Sequence, residues 1–495
     1  MNEGPAGTDP PPDDARAIEF SVHGLSRRLP AYSALKRFSL GQRIFIGLVI
    51  PTLLAGLVLT PILAGTIVMT TLTIVYVGTV GLRIELAIRG RGDQRARFTD
   101  EQLAALDRQS LPTFSILVPA YKEPKVLPNL VGYLAALEYP KELLEIKLLL
   151  ERDDYDTIEA ALALGLKAPF EVIIVPPVGP RTKPKALNYA LLGCKGDIVC
   201  IFDAEDRPDP KQLLKVAATF AQLGDRVGCV QAELAYYNAN ENLITRWFAV
   251  EYRMWFTQFL PALSRTKAVI PLGGTSNYIR RDLLVRMGAW DPYNVTEDAD
   301  LGVRLRRCGY GVAVLDSITY EEANTDFVNW MKQRSRWYKG YLQTWLVHMR
   351  HPIRLIKDIG FGAFVRFNLF VGGTPVLAML NPISWALIVT WFVLQPHFII
   401  EIMPWPVYYS GLFGWLFGNF VLYYLNLMVA YEFDDEKVFM AALRLPVYWV
   451  MMSIAAVKAV VQLIFDPNYW EKTQHGLSNF VADSEARISG EAEFA

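Results

Sequence analysis

The sequence predicts an α/β domain with a mostly parallel sheet, inserted between N-terminal and C-terminal blocks of transmembrane helices. Three observations carry this. Ile44 to Leu82 contains no charged side chain, and a second apolar block runs from about Phe361 to Phe465. Between them, short apolar runs alternate with helix-length segments, as in a sheet covered on both faces. Acidic residues follow directly after those runs, where an open α/β sheet builds its sites.

The chain has 495 residues, room for roughly two or three domains. Its 49 Lys and Arg nearly balance 50 Asp and Glu, so no global field points to nucleic acid. A span takes roughly 20 apolar residues, so 44–82 holds a hairpin of two with a turn near Pro61. It starts too late and is too long for a signal peptide. Cys194, Cys200, Cys229 and Cys308 form no CxxC and fit a reducing compartment.

Taken in order, residues 1–16 have too little apolar content to fold and are expected to be disordered. Residues 17–43 read as a basic cytosolic or interfacial segment carrying Arg27, Arg28, Lys36, Arg37 and Arg43. Arg83, Arg89, Arg91, Arg95 and Arg97 follow the hairpin, so both flanks, and the domain at 112–345, lie in the cytoplasm. That makes a multi-pass protein of an inner or plasma membrane. Strands are expected at Phe114–Pro119, Ile146–Leu150, Glu171–Val175 and Ile198–Phe202, with helices near 126–137 and 186–192. Residues 346–466 read as interfacial and transmembrane helices. The stretch 361–394 makes one span or two turning at Asn381-Pro382, and further runs lie near 405–430 and 446–465. Four spans are expected, because 467–495 must return to the side of the domain. Lys458, inside the last run, marks a polar lumen or a snorkel to the membrane edge.

The strand at 198–202 ends in Asp203, Glu205 and Asp206, before Pro208 and Pro210. Oxygen ligands there suit Mg²⁺ or Mn²⁺ carrying a substrate phosphate, although alone they read equally well as a solvated acidic turn. Glu151 and Asp153 end the second strand, ready to accept hydrogen bonds from a base or ribose. Lys183-Pro-Lys185 opens a helix, where cations and free N–H groups favour a diphosphate. Gly273-Gly274 lets backbone approach a ligand. Thr296-Glu297-Asp298 opens another helix, with Thr296 a candidate cap and Asp298 a candidate base. Gln333, Arg336 and Trp337 fall at i, i+3 and i+4, on one helical face.

Together PAYKE at 119–123, KPKALN at 183–188, DAED at 203–206, TED at 296–298 and QRSRW at 333–337 resemble the membrane-embedded family 2 glycosyltransferases. That group includes the cellulose, hyaluronan and mixed-linkage glucan synthases. The resemblance implies a cytosolic GT-A domain whose first half binds a nucleotide sugar, foremost a UDP-sugar. Tyr121, Glu123, Glu151 and Asp153 would be substrate-binding, and Lys185 would face the diphosphate. Asp203 matches the first acid of the family's DxD, with Glu205 or Asp206 completing a Mg²⁺ or Mn²⁺ site. Asp298 matches the catalytic base, while Gln333, Arg336 and Trp337 match the acceptor and pyrophosphate site. Residues 470–475 resemble a gating segment. The implied reaction is inverting, metal-dependent transfer to a growing polysaccharide, processive with export and open to export-complex partners. Single transfer to a lipid acceptor and a non-catalytic sugar-binding receptor are the alternatives.

Overall fold

Strand-forming residues between 114 and 321 assemble into one eight-stranded sheet in the computed structural model, which describes residues 12–92 and 95–472. The strands are β1 (Phe114–Ala120), β2 (Leu144–Glu151), β3 (Phe170–Val175), β4 (Ile198–Ile201), β5 (Arg207–Pro208), β6 (Val227–Tyr236), β7 (Asn277–Arg280) and β8 (Gly311–Glu321). Their order is β3-β2-β1-β4-β7-β6-β8-β5. β1 pairs parallel with β2 and β4, β2 with β3, and β6 with β8. β7 runs antiparallel to β4 and β6, and β5 antiparallel to β8, so the sheet is mixed. The reason is local. The loop before β7 folds over the end of β4, with Ser276 N donating to Ile201 O at 2.9 Å, and β7 returns along its neighbour.

β1, β2 and β4 are near-continuous apolar runs, buried on both faces between two hydrophobic clusters. The helices that matter below are α1 (Pro12–Arg28), α2 (Leu40–Leu59), α3 (Pro61–Gly90), α4 (Lys183–Leu191), α5 (Leu243–Met254), α6 (Glu297–Arg307), α7 (Phe327–His348), α8 (Phe361–Leu394), α9 (Trp405–Tyr431) and α10 (Leu445–Phe465). α4 and α6 start at the C-terminal edge of the sheet and α7 crosses beside it. All three deliver side chains to one place.

One expectation about the N-terminus needs correction. Residues 12–16 are helical, as the start of α1; residues 1–11 lie outside the described residues. The segment 17–43, expected as cytosolic or interfacial, docks on the α/β domain. α1 buries Val22 and Leu25, and Asp14 accepts from Tyr189 of α4 at 2.7 Å. Farther along, Ser33 donates to Asp291 at 3.2 Å.

Five helices among the described residues are long and apolar enough to cross a membrane: α2, α3, α8, α9 and α10. The four-span expectation for the C-terminal block is corrected to three candidates, because 361–394 is one helical run. Asn381-Pro382 does not divide it; the run absorbs its irregularity in a π turn at Asn368–Gly372, with Pro382 inside the helix. α10 lies along α7 in the same direction. Trp330 Nε1 donates to Tyr448 OH at 3.3 Å near one end, and Gln343 Nε2 to Pro467 O at 2.7 Å near the other. Lys458 reaches Glu471 at 2.8 Å.

Gly302 shows how tightly α6 is seated. A β-carbon there would lie 1.8 Å from Ile270 O, a backbone atom that cannot step aside. Gly302→Ala is expected to cost roughly 1–3 kcal/mol or more, read as earlier thermal unfolding in detergent. Gly132→Ala, with nothing within 4 Å of the new methyl, should unfold at or above the wild-type temperature.

Candidate active site

β4 ends in Phe202, which is buried, and the chain then turns through three acids with different fates. Asp203 and Glu205 line a cavity of about 540 Å³. Asp206 turns inward and is fully buried. Its Oδ2 accepts from Asp203 N at 2.7 Å and from the Thr275 hydroxyl, and burial beside Asp203 pushes its pKa far up. Asp206 therefore braces the loop, and the carboxylate that joins Asp203 on the cavity wall is that of Glu205.

The helix α4 separates its two lysines. Lys183, at its first position, donates to Asp203 Oδ1 and, at 2.9 Å, to Gly274 O. Burial alone would lower its pKa, but Asp203, Glu297 and Asp206 outweigh that and raise it. Lys185 points the other way. It is buried, holds both Glu151 oxygens at 3.1 Å and Pro176 O at 2.7 Å, and does not line the cavity. Lys185 is the lysine expected to face a diphosphate; of the two lysines on α4, Lys183 is the one that lines the cavity. Glu151 reaches the cavity wall already paired, with burial pushing its pKa up and that of Lys185 down. Asp153 is taken by Arg181 and lies off the wall. Tyr121 and Glu123 line the cavity.

Opposite Asp203, α6 begins with Glu297 and Asp298 in its first turn, where the helix dipole favours negative charge. Thr296 does not cap the helix with its side chain. Asp298 Oδ1 accepts from Ala299 N at 2.7 Å. Enclosure pushes the Asp298 pKa up, while Ala299 N–H, Lys183 and Arg336 pull it back; Glu297 is pushed up by burial and by Asp298 beside it. Gly274 makes the close approach possible. A β-carbon on it would stand 3.3 Å from Asp298 Oδ2 and 3.8 Å from Lys183 Nζ.

Gln333, Arg336 and Trp337 all reach the same cavity from α7. The Trp337 ring lies against Tyr252, 6.1 Å between centroids and tilted by 24°. Between them in sequence, Arg334 donates twice to Glu251, at 2.9 and 2.6 Å, and once to Tyr448 OH at 3.0 Å. The segment after α10 closes the far side, with the Trp470 ring 5.1 Å from the Arg336 guanidinium and Lys472 3.5 Å above the Tyr121 ring. Residues 473–475 of the expected gating segment lie outside the described residues.

Sequence reasoning named Lys183, Glu297 and Lys472 only as members of their motifs, without a role of their own, and missed the Arg334–Glu251 pair. Lys183 was within reach, since N1 and N3 of one helix project differently. Glu251 carried no signal, because its partner lies 83 positions away.

The cavity continues among the apolar helices. Its wall takes Tyr76, Thr79, Val80 and Arg83 from α3, Thr374, Leu377, Ala378 and Asn381 from α8, and Asn419, Leu422 and Asn426 from α9. α10 adds Leu445, Tyr448, Trp449 and Met452. Each set repeats at three or four residues, so each helix gives one continuous face.

With this geometry in view, the relatives are informative. A search of known structures finds a mannosyltransferase from Pyrobaculum calidifontis, PcManGT, solved with GDP-Man and Mn²⁺. It shares the fold at a TM-score of 0.52 and 18% identity, covering 81% of this chain and 99% of that one. In sequence the chain is 29% identical over 280 residues to a probable glycosyltransferase, YdaM, of Bacillus subtilis, covering 53% of this chain and 64% of the relative. It is 31% identical over 296 residues to a beta-monoglucosyldiacylglycerol synthase of Nostoc, covering 56% and 61%. The chain thus spans less than two thirds of the length of these curated relatives. Residues 112–340 match the model of the glycosyltransferase like family 2. Asp203, Lys183, Asp298 and Arg336 all lie within the matched stretch.

Proposed function

We propose that the chain is an inverting membrane glycosyltransferase that moves a sugar from a nucleotide sugar to an acceptor arriving from the membrane side of the cavity. The observation that carries this reading is one cavity running from Asp203, Lys183 and Asp298 to the faces of α3, α8, α9 and α10. A UDP-sugar is the first donor to try, and the domain would face the cytosol.

The donor set fits a divalent cation. Asp203 and Glu205 offer carboxylate oxygens on the cavity wall and would hold Mg²⁺ or Mn²⁺, a kind of ion that commonly shares one or two carboxylates with phosphate oxygens. Such an ion would offset charge on the diphosphate. Asp298 takes the acceptor proton as that oxygen bonds to the anomeric carbon. The bond from that carbon to the diphosphate breaks on the opposite face, and its electron pair leaves with the nucleotide. Lys183 and Arg336 supply fixed positive charge where the leaving group gains negative charge. Trp337 offers an aromatic face to orient the acceptor.

A lipid acceptor is favoured over a polymer. The relatives named as glucosyldiacylglycerol synthases reach 31% identity, against 24% and 25% for those named as probable glucomannan mannosyltransferases. Processive export remains the second reading, supported by the helix-lined part of the cavity. The test is purified full-length protein with nucleotide sugars, Mg²⁺ or Mn²⁺, and lipid acceptors, following nucleotide release and product mass. One added sugar per lipid is expected; long polymers would restore the second reading, and no turnover with any donor would remove the enzyme reading. Asp298→Asn should lower the rate about a hundredfold or more, and undiminished transfer would sink its role as base.

The lysines give a sharper contrast. Lys183→Met should weaken nucleoside-diphosphate binding about tenfold or more, as expected for a lost charge-assisted hydrogen bond. Lys185→Met strips Glu151 of its partner and should act first on stability. Equal loss of nucleotide affinity in two folded variants would refute the assignment.

We also infer that α10 lies along the membrane surface and does not cross. Its two ends hold to α7 and it brings 467–472 back to the cavity, which leaves α8 and α9 as a returning pair. With Cys308→Ser as background, Leu443→Cys and Tyr469→Cys should label from one side of sealed vesicles and Gln395→Cys from the other. Labelling of 443 and 469 from opposite sides would make α10 a span.

A further inference from the structure

Arg83 is the side chain that the reaction above leaves without a task. It sits on α3 in the helix-lined part of the cavity, one and two turns beyond Val80, Thr79 and Tyr76 on the same face. Its Nη2 donates to Thr374 Oγ1 of α8 at 3.1 Å, and its Nε has no hydrogen-bond partner. Among the described residues no carboxylate stands within ion-pair distance of it. The acids that might serve are spent. Glu251 accepts twice from Arg334 and once, at 2.7 Å, from Tyr448, while Glu85 pairs with Arg89 and Arg366.

A guanidinium drawn into a cavity between apolar helices without a directly paired counter-charge is costly, and Glu251, whose field reaches Arg83, is already paired with Arg334. An arginine that only marked the membrane edge would snorkel outward to water. Arg83 instead faces inward and is held by a hydroxyl that carries no charge. Of the other cations on the cavity, Lys183 pairs with Asp203, Arg181 with Asp153 and Arg334 with Glu251, while Arg336 lies against the Trp470 ring at the leaving-group end and Lys472 over the Tyr121 ring. An anion is the missing partner, and the planar fork of a guanidinium matches phosphate oxygens in a bidentate manner.

We propose that Arg83, with Thr374 beside it, binds the phosphate of an anionic lipid acceptor and so selects phosphate-bearing lipids over neutral diacylglycerol. This rests on the lipid-acceptor reading above and names the acceptor's class. Two sources share the chemistry. One is a glycerophospholipid with a free headgroup hydroxyl, such as phosphatidylglycerol, whose hydroxyl would give its proton to Asp298 while Arg83 holds the phosphodiester. The other is a polyprenyl phosphate, in which the phosphate oxygen is itself the attacking atom and no proton need be removed.

The test separates binding from turnover. Full-length protein in detergent is titrated with phosphatidylglycerol, polyprenyl phosphate or diacylglycerol, and bound lipid is read by native mass spectrometry without donor. Wild type should retain one of the anionic lipids in preference to diacylglycerol, and which one identifies the source. Arg83→Gln should weaken that retention about tenfold, the scale of one charge-assisted hydrogen bond, while nucleoside-diphosphate binding and thermal unfolding hold. Arg83→Lys, which keeps the charge, should recover part of it. Equal retention of diacylglycerol by wild type, or unchanged anionic-lipid retention in a folded Arg83→Gln, overturns the proposal. Binding is read without turnover, so an absence of sugar transfer would count against the enzyme reading while leaving this result to stand or fall separately.

Discussion

Five carboxylates, Asp203, Glu205, Asp206, Glu297 and Asp298, converge at one end of the sheet, and their mutual repulsion is the constraint that the surrounding structure answers. Each is dealt with differently. Asp206 is withdrawn into the protein and bonded to Thr275, where burial drives it toward its neutral form. Asp203 takes the Lys183 ammonium. Glu297 and Asp298 sit in the first turn of α6, with Lys183 and Arg336 in their field. Three helices must therefore arrive at one point: α4 to bring Lys183, α6 to bring the acids, and α7 to bring Arg336. The tight seats of Gly274 and Gly302 follow from that convergence.

α7 carries the same logic into the membrane-facing half. Arg334 joins it to Glu251 of α5 and Tyr448 of α10, a pair in which the buried guanidinium depends on a half-buried carboxylate for its counter-charge. Its guanidinium also lies 4.5 Å from the centre of the Trp337 ring. The contact that ties the helices together thus fixes the indole that faces the cavity. Structure and site cannot be assigned to separate residues of this motif.

Much of this was legible in the sequence, and the failures have physical causes. Short apolar runs located β1 to β4, and the acids after Ile201 pointed to the candidate site. Gln333, Arg336 and Trp337 share a face because helix geometry demands it. The antiparallel course of β7 was hidden, since a four-residue strand reports nothing about its neighbours. Lys183 and Lys185 look alike in composition, and only their phase on α4, together with Glu151 waiting on β2, separates them. Glu205 and Asp206 differ likewise by which way a turn points, and no local pattern encodes that. The helix at 12–28 was missed because its prolines and acids resemble a solvated tail, while its partner surface on α4 lies far along the chain.

The hydropathy of α10 shows the same limit at larger scale. A helix that is apolar nearly all round can be a span or can be buried against protein, and composition does not distinguish them. What does is the fate of its polar exceptions. Lys458 and Gln462 lie a turn apart, and both bond Glu471, at 2.8 and 2.9 Å. Glu471 belongs to the segment that also brings Trp470 to Arg336 and Lys472 to Tyr121. On the interfacial reading, these two residues are the face by which α10 anchors the approach to the cavity, and the rest of its surface faces α7, α8, the cavity or lipid. A lumen lined by Lys458 then has no role to fill, because its charge is already matched at the mouth of the site.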